Sequence, residues 1–316
     1  MKKICRREFI KRSAQVGMSA VVGGALYSGQ RPDALSYTMQ GDLIDLSVVK
    51  GADYFKSTEM AVAQLGGMEK FVPKGAKVAI LPNVQRWHPG TFTKPDIVRA
   101  IVRMCKKAGA AEVNCLSWLD MKNWESTGLD KVLKEEGASL KLIAAEEANF
   151  KPVKVTSGVS LDEAMIMKEF YNNDVFIDIP ITKDHAGNKF TGTMKNLMGL
   201  NYRVNNRSKF HMENWTTDTN AIRHLEQCVV DLNTLIKPDL CVVDATEFII
   251  TNGPMGPGDL IKPQKVIAGK NRVSVDAYCT TLWDIEAKDI VAITHAHKRG
   301  LGNMNLAELS IKETKL

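Results

Sequence analysis

Short, continuously apolar segments of the chain alternate with segments in which apolar residues recur every three or four positions. The first pattern is typical of buried β-strands, and the second is typical of amphipathic helices that pack on a core. Strands are predicted at 43–49, 77–81, 113–116, 140–144, 175–179, 240–243 and 266–268. Helices are predicted at 58–65, 95–108, 129–136, 221–236, 273–283 and 288–299.

The order of these elements predicts the fold class. Apolar strands separated by amphipathic helices favour an α/β fold, with a largely parallel sheet covered by helices on both faces. About 285 residues follow the N-terminal segment 1–30, which suits a single large domain over 31–316. The segment 198–218 is polar, aromatic and irregular, and we expect a long loop or lid there.

The first thirty residues resemble a twin-arginine export signal. Arg6 and Arg7, followed by Phe9, precede a short apolar run that is rich in glycine. This layout is typical of a secretory signal, and the arginine pair is an address read by a receptor. We therefore expect the twin-arginine translocase as a partner and export to the periplasm or the extracytoplasmic face. A basic amphipathic helix is the alternative. No clean cleavage site follows, which leaves open an uncleaved signal that anchors the protein.

The charge distribution argues against nucleic acid as a partner. The chain has 42 Lys and Arg residues against 36 Asp and Glu residues, a net charge of +6. Residues 1–30 contain six of the basic residues and one of the acids, so the rest is close to neutral. Binding of nucleic acid by the folded part would require a clustered basic face, which this balance does not supply.

The cysteines do not form a recognisable cofactor motif. Five follow the N-terminal segment, and no two of them form a C-x-x-C pair. We interpret them as buried thiols, with no local iron–sulfur motif, zinc site or disulfide framework. They are Cys105, Cys115, Cys228, Cys241 and Cys279.

Candidate site residues follow several predicted strands. In an open parallel sheet, ligands bind beyond the carboxyl ends of the strands. This rule gathers Asn83, His88, Asp120, Lys183, Asp184, His185, Asp244, Glu247 and the loop 251–258, which contains Asn252 and Gly253. The mixture suits either a metal with an anionic ligand or acid–base work on a small polar molecule. Solvated surface residues are the alternative for Lys183 and His185, and a rigid turn is the alternative for the loop.

Three further residues join this set. His211, in the irregular segment, is a candidate metal ligand or acid–base group, or an ordinary loop residue. Lys195 and Asn196 lie in a short predicted helix at 191–198, where they could hold an anion near its N-terminus. We interpret His295 and His297 as ordinary helix residues, and Asp276 as a buried partner or a hydrogen-bonding group between helices.

Successive blocks of the chain resemble the uncharacterised prokaryotic family catalogued as domain of unknown function 362. The resemblance covers about residues 45 to 312 and rests on the order and number of blocks. They include V-A-I-L-P-N at 78–83, P-D-I-V-R-A at 95–100, D-V-F-I at 174–177 with Pro180, Lys183 and His185, K-N-L-M-G at 195–199, His211, I-K-P-D-L at 236–240, N-G-P at 252–254 and G-L-G at 300–302.

The resemblance implies an α/β fold and frequent twin-arginine signals, without an established reaction. Some members carry ferredoxin-like cysteine runs, which this chain lacks. The chain also departs from the family pattern, because Leu81 and Ile181 stand where lysines are usual, Asp184 stands within the family's K-x-K-T-H run, and Asn271 replaces an aspartate. These changes weaken positive charge around the expected pocket.

Two hypotheses of function follow. The first is a metal- or cofactor-dependent enzyme that acts on a small anionic molecule. In it, His185 and His211 bind a divalent metal or transfer protons, Lys183, Lys195 and Asn196 hold the substrate, and Asp244 orients an imidazole. The second is a non-catalytic ligand-binding or accessory protein of an exported redox system. A fold-level analogy to nickel-dependent hydroxyacid isomerases is a third, weaker idea.

Overall fold

A computed structural model describes residues 44–316, and the predicted export signal lies outside the described residues. Within them, twelve strands are formed. They are β1 (Leu46–Lys50), β2 (Lys77–Pro82), β3 (Glu112–Ser117), β4 (Ser139–Leu142), β5 (Phe150–Lys154), β6 (Glu163–Met167), β7 (Val175–Ile179), β8 (Leu240–Ala245), β9 (Phe248–Ile249), β10 (Leu260–Ile261), β11 (Lys265–Gly269) and β12 (Ile311–Lys315).

Nine α-helices accompany these strands in the described part of the chain. They are α1 (Tyr54–Gln64), α2 (Pro95–Lys107), α3 (Met121–Thr127), α4 (Leu129–Glu135), α5 (Thr193–Asn196), α6 (Arg203–Asn205), α7 (Thr219–Asn233), α8 (Arg272–Thr280) and α9 (Val291–Lys298). None of the helices within 44–316 is long and apolar enough to cross a membrane.

Eight strands form one sheet in the order β12-β1-β11-β8-β7-β2-β3-β4. Seven of them point the same way, and β11 is antiparallel to its neighbours β1 and β8. The predicted α/β class with a largely parallel sheet is confirmed. All seven predicted strands lie in this sheet, and the eighth member, β12, was not predicted.

Alternating residues of the strands pack into two separate cores, one on each face of the sheet. Val78 and Ile80 of β2 join α1, α2 and α4 on one face. Ala79 and Leu81 face the other way, toward α5, α7, α8 and α9. The period of two along a strand produces this division, and the predicted helices on both faces are confirmed.

Side-chain caps define where several helices begin. The Asp53 carboxylate accepts from the Lys56 amide before α1, and the Asp218 carboxylate accepts from the Ala221 amide before α7. Asn271 accepts from the amides of Val273 and Ser274 at the start of α8, so the amide that replaces the family's usual aspartate still caps the helix. Each cap satisfies donors that have no partner within the helix.

The chain reverses its direction of travel across the sheet between β2 and β7. From β2 it continues through α2 to β3 and β4 on one side, whereas β7 lies on the other side of β2 and leads to β8. The carboxyl ends of these central strands lie together, because Pro82 of β2 pairs with Ile179 of β7. The carboxyl edge at such a reversal is the usual ligand position in open α/β sheets.

Candidate functional site

Lys183 follows β7 and reaches the segment that follows β2. Its side chain is fully buried, and its ammonium donates to the Asn83 side-chain oxygen at 3.2 Å and to the Thr91 carbonyl at 2.6 Å. Asn83 directly follows β2, and Lys183 follows β7. The predicted convergence of residues after these strands therefore occurs here for Asn83 and Lys183.

Lys195 brings a second ammonium group to the same site. It is half-buried on α5, and its Nζ donates to the Asn188 side-chain oxygen at 3.1 Å. Like Lys183, it hydrogen-bonds to neutral acceptors, and neither lysine forms an ion pair with an acid among residues 44–316. Within the described residues, neither ammonium group thus has a direct ion-pair partner, and the nearby carboxylate of Glu226 only partly compensates the charge of Lys195.

Desolvation lowers the pKa of both lysines to about 7. For Lys183, the positive charges of Arg86 and Lys195 lower the pKa further. For Lys195, the carboxylate of Glu226 partly opposes the effect of burial. Near neutral pH each amine is therefore divided between its charged and neutral forms, which suits a group that binds anions or transfers protons.

His185 and His211 lie against the same indole. The ring centroid of Trp215 is 5.2 Å from that of His185 and 4.8 Å from that of His211. Each imidazole Nδ1 lies 2.8 Å from a backbone carbonyl, that of Ala186 for His185 and that of Asn206 for His211. Because a carbonyl only accepts, Nδ1 carries the proton in both rings.

Both histidines are neutral at pH 7. Burial, followed by the nearby Lys195 charge, holds the pKa of His185 well below its usual range. Burial also lowers the pKa of His211 to about 4, although its hydrogen bond to Asn206 opposes this shift. With Nδ1 protonated, Nε2 of each ring keeps a lone pair that can accept a proton or a ligand hydrogen bond.

The residues present do not fit a resident metal held by the protein alone. Structural and catalytic metal sites usually have three or four protein ligands. Within the described residues, no group of three or more His, Cys, Asp or Glu side chains has a metal-binding arrangement. His185 and His211 are brought near each other, as predicted, but the acid–base interpretation suits their surroundings better than the metal one.

Asn196 positions other site residues through all the polar atoms of its side chain. Its amide nitrogen donates to the Leu81 carbonyl at 2.9 Å and to the Asp178 carboxyl at 2.7 Å. Its oxygen accepts from the Asn83 side chain at 3.0 Å, and Asn83 in turn accepts from Lys183. The two asparagines, predicted to bind ligand, therefore hold the lysine in place.

The N-terminus of α5, where an anion was predicted to bind, is occupied by an internal carboxylate. Asp276 of α8 accepts from the Thr193 amide at 2.6 Å, the Thr193 hydroxyl at 2.9 Å and the Met194 amide at 3.0 Å. Asp276 is thus buried and also hydrogen-bonds between helices α8 and α5, so both alternatives open from the sequence describe it. The N-terminus of α5 is therefore not free to bind an anion, whereas the ammonium group of Lys195 still is.

Asp244 does not orient either imidazole in this structure. It is fully buried at the end of β8, where its carboxylate accepts from the Lys94 amide at 2.8 Å. It also accepts from the amide and hydroxyl of Thr246, at 2.9 and 2.6 Å. It therefore joins the start of α2 to the end of β8.

The Gly/Pro loop clamps the segment that carries His185. The Gly253 amide donates to the Asp184 carboxylate at 2.7 Å, and its carbonyl accepts from the Ala186 amide at 3.1 Å. A Cβ at Gly253 would lie 1.8 Å from the Asp184 carbonyl oxygen, so no larger residue fits. Asn252 is exposed and donates to the Pro257 carbonyl at 3.2 Å. The loop is thus a rigid turn whose contacts position the histidine.

The segment 198–218 is ordered by buried amides. It contains α6 and a π-helix at Asn206–Phe210. Asn201 donates to the side-chain oxygens of Asn205 and Asn206 at 2.9 and 2.7 Å. This network holds the backbone that presents His211 and Trp215 to the site.

Glu226, on α7, is a site residue that the sequence analysis missed. Its side chain is 2% exposed, and burial raises its pKa to about 7, with Lys195 as the main opposing charge. The sequence does contain a signal for this residue. Glu226 is an acidic residue next to Leu225, on a predicted amphipathic helix whose apolar face packs on the core. His295 and His297, by contrast, hydrogen-bond to Gln227 and to the Gly302 carbonyl, as expected of ordinary helix residues.

Comparison of the chain with known protein families gives one match. A family model described as Domain of unknown function (DUF362) matches residues 78–281. The thylakoid-associated protein sll1697 of Synechocystis sp. is 28% identical over 142 residues, which cover 43% of this chain and 42% of that protein. The chain thus matches less than half the length of this curated relative.

Two solved structures show partial similarity. The lactate racemase apoprotein of Thermoanaerobacterium thermosaccharolyticum aligns with a TM-score of 0.42 and 14% identity, over 70% of this chain and 55% of that one. A protein from Thermotoga maritima aligns with a TM-score of 0.39 and 15% identity, over 61% and 51%. The aligned regions span about half of each of these chains.

Proposed function

We propose that this chain, which belongs to the family described as Domain of unknown function (DUF362), binds a small anionic molecule at the carboxyl ends of β2 and β7 and acts on it by acid–base catalysis. The main support for this proposal is the surroundings of two lysine ammonium groups. Lys183 and Lys195 place two desolvated ammonium groups near these strand ends, and both have only neutral hydrogen-bond acceptors. An anion would supply the missing negative charge.

Desolvation of the two ammonium groups favours the binding of an anion. Removing an ammonium group from water is costly, and a protein usually compensates with an acid or leaves the amine neutral. Here the lowered pKa values show that the compensation is incomplete. A bound anion would stabilise the protonated amines, so part of the cost of burying them would be recovered on binding.

The histidines and lysines supply complementary proton chemistry. The neutral His185 ring can accept a proton at Nε2, because its Nδ1 proton is donated to the Ala186 carbonyl. A lysine with a pKa of about 7 can return a proton to a substrate. Groups that titrate near the working pH make efficient general acids and bases.

A non-catalytic ligand-binding or accessory protein is the second candidate, and it would use the same cations. Replacing His185 with Gln distinguishes the two, because Gln keeps polarity but has no basic nitrogen. For an enzyme, we expect turnover of the bound anion to fall at least about a hundredfold while its affinity changes little. A loss of affinity alone, in binding and turnover assays of the full chain, would favour the accessory role.

Export through the twin-arginine pathway forms part of the proposal. It is supported by Arg6 and Arg7, which precede the apolar, glycine-rich run of the N-terminal segment. A protein that folds before it crosses the membrane can take up its ligand in the cytoplasm. The site would then be complete before export.

Calorimetric titration with anions tests the binding proposal. The probes are sulfate, inorganic phosphate, acetate and a short dicarboxylate, at about pH 6.5, where both amines are mostly protonated. For any probe that binds, Lys183→Met and Lys195→Met should each weaken the affinity at least about tenfold, since each removes a desolvated charge. Lys131→Met is the control, because Lys131 is exposed on α4. Equal effects in all three variants, or no binding of any probe, would contradict the proposal.

A further inference from the structure

The carboxyl group of Glu226 faces the site with one oxygen that lacks a well-placed donor. Its Oε2 accepts from the Val291 amide at 3.0 Å and so caps the start of α9. Its Oε1 is buried and has no hydrogen bond of good geometry within the described part of the chain, although Asn188 and the Ala292 amide lie close enough to favour the charged carboxylate. A buried carboxyl oxygen without a well-placed donor is costly, and protonation of the carboxyl group lowers that cost.

Asn188 connects Glu226 to Lys195. The Asn188 side-chain oxygen accepts from Lys195 Nζ at 3.1 Å, and its side chain is close enough to Glu226 to favour the charged carboxylate. Asn188 is itself buried. The carboxylate and the ammonium therefore face each other across one amide, without a direct ion pair among the described residues.

The other charged groups around this pair are cationic or neutral. Lys183, His185 and His211 face Lys195, and the backbone amides of Val291 and Ala292 face Glu226. Burial penalises the charged forms of both members of the pair, whereas each member stabilises the charge of the other. Burial therefore favours the neutral pair, whereas the attraction between the two charges favours the ion pair.

We propose that Glu226 and Lys195 share one proton, so that Glu226 acts as the proton reservoir for Lys195 in the anion site. The role of this proton in anion binding rests on the proposed function. When an anion reaches the neutral amine, the Glu226 carboxyl releases its proton and Lys195 takes one up, so the number of protons on the pair stays the same. The electron pair of the O–H bond stays on the carboxylate, and no proton is drawn from solvent.

A double-mutant cycle on stability tests the proton sharing without any ligand. The variants are Glu226→Gln, Lys195→Met and the combination, and the Gln side-chain oxygen can still accept from the Val291 amide. Near pH 7, we expect the unfolding equilibrium constants to deviate at least about fivefold from additivity. The deviation should disappear near pH 10, where Lys195 is neutral, and near pH 4.5, where Glu226 is protonated.

The control cycle pairs Lys195→Met with Glu213→Gln, because Glu213 is exposed in the segment before α7. That cycle should be additive at every pH. Additivity of the Glu226 cycle near pH 7 would overturn the proposed sharing. A deviation that stays constant from about pH 4.5 to 10 would also overturn it, because constant coupling indicates packing and not shared charge.

The pH dependence of sulfate affinity provides the second readout. Removing the Glu226 charge should lower the pKa of Lys195, so the midpoint for sulfate binding in Glu226→Gln should shift down by about half a pH unit or more. An unchanged midpoint would overturn the link between Glu226 and the anion site. Failure of sulfate to bind the wild-type chain would count against the proposed function, whereas the stability cycle would still decide whether the proton is shared.

Discussion

Replacing Asp276 with Ala is expected to lower the free energy of unfolding by about 3–5 kcal/mol. The carboxylate receives hydrogen bonds from two backbone amides and one hydroxyl, donated by Thr193 and Met194. All of these groups are buried, so alanine would leave three donors without a partner. Denaturant unfolding at about pH 7.5, above the Asp276 pKa of about 6, measures the change.

Two further variants show whether the loss has this cause. Asp276→Asn keeps one acceptor oxygen and should cost clearly less than Asp276→Ala. Asp218→Ala removes an exposed cap of α7 and should cost about 1 kcal/mol. If Asp276→Ala costs no more than Asp218→Ala, the carboxylate does not hold α5 in place as described. In that case, contacts other than those of Asp276 hold Lys195 and Asn196 of α5 in position.

The second large effect concerns Lys183 and the pH dependence of stability. Its pKa of about 7 in the folded chain lies below the ordinary value of 10.5. Between these values the unfolded chain binds a proton that the folded chain does not, so stability rises with pH. The slope approaches about 1.4 kcal/mol per pH unit for a fully buried lysine. Below about pH 7 the penalty is fully present.

The variant Lys183→Met should lose the part of the pH dependence of stability that Lys183 causes. Urea unfolding at about pH 7.5 and 9.5 should show that the wild type gains about 2 kcal/mol relative to the variant over this interval. Lys131→Met, with its exposed amine, should follow the wild type at both values. Parallel behaviour of the wild type and Lys183→Met would mean that Lys183 remains protonated in the folded chain.

The hydrophobic pattern was sufficient to predict the core of the sheet. Six of the seven predicted strands are mostly buried, and the exception is the edge strand β4. Strands buried on both faces are continuous apolar runs in the sequence. β12 was missed because it is a polar strand with exposed residues at the edge of the sheet. The β5–β6 hairpin was missed for a related reason, since β5 contains Pro152 and two exposed lysines.

The site was predictable in position but less so in the role of each residue. The rule for carboxyl ends correctly brought Asn83 and Lys183 together. It could not show that Asn83 and Asn196 bind protein groups and not a ligand, because Asn196 donates to Asp178 and to the Leu81 carbonyl, distant in sequence. An amide or carboxylate acquires its role from its partners, and tertiary contacts choose those partners.

The same limit applies to the acidic residues. Asp244 ends an apolar strand and Asp276 lies in an apolar helix, and the carboxylates of both accept hydrogen bonds from backbone amides. The sequence does not show these partners. Glu226 lies in an apolar helix face, and its buried carboxyl group lies near Lys195. The periodicity of the helix placed Glu226 on the core side, but only the packing of α5 against α7 brought it to Lys195.

The most direct test of the anion site is the affinity of the full chain for sulfate as a function of pH. The charge of sulfate is constant between about pH 6 and 9, so any change in affinity reports on the protein. The account predicts tight binding near pH 6 and a loss of at least about tenfold between pH 7 and 9, as Lys183 and Lys195 lose their protons. An affinity that is constant over this range, or no binding at pH 6, would contradict it.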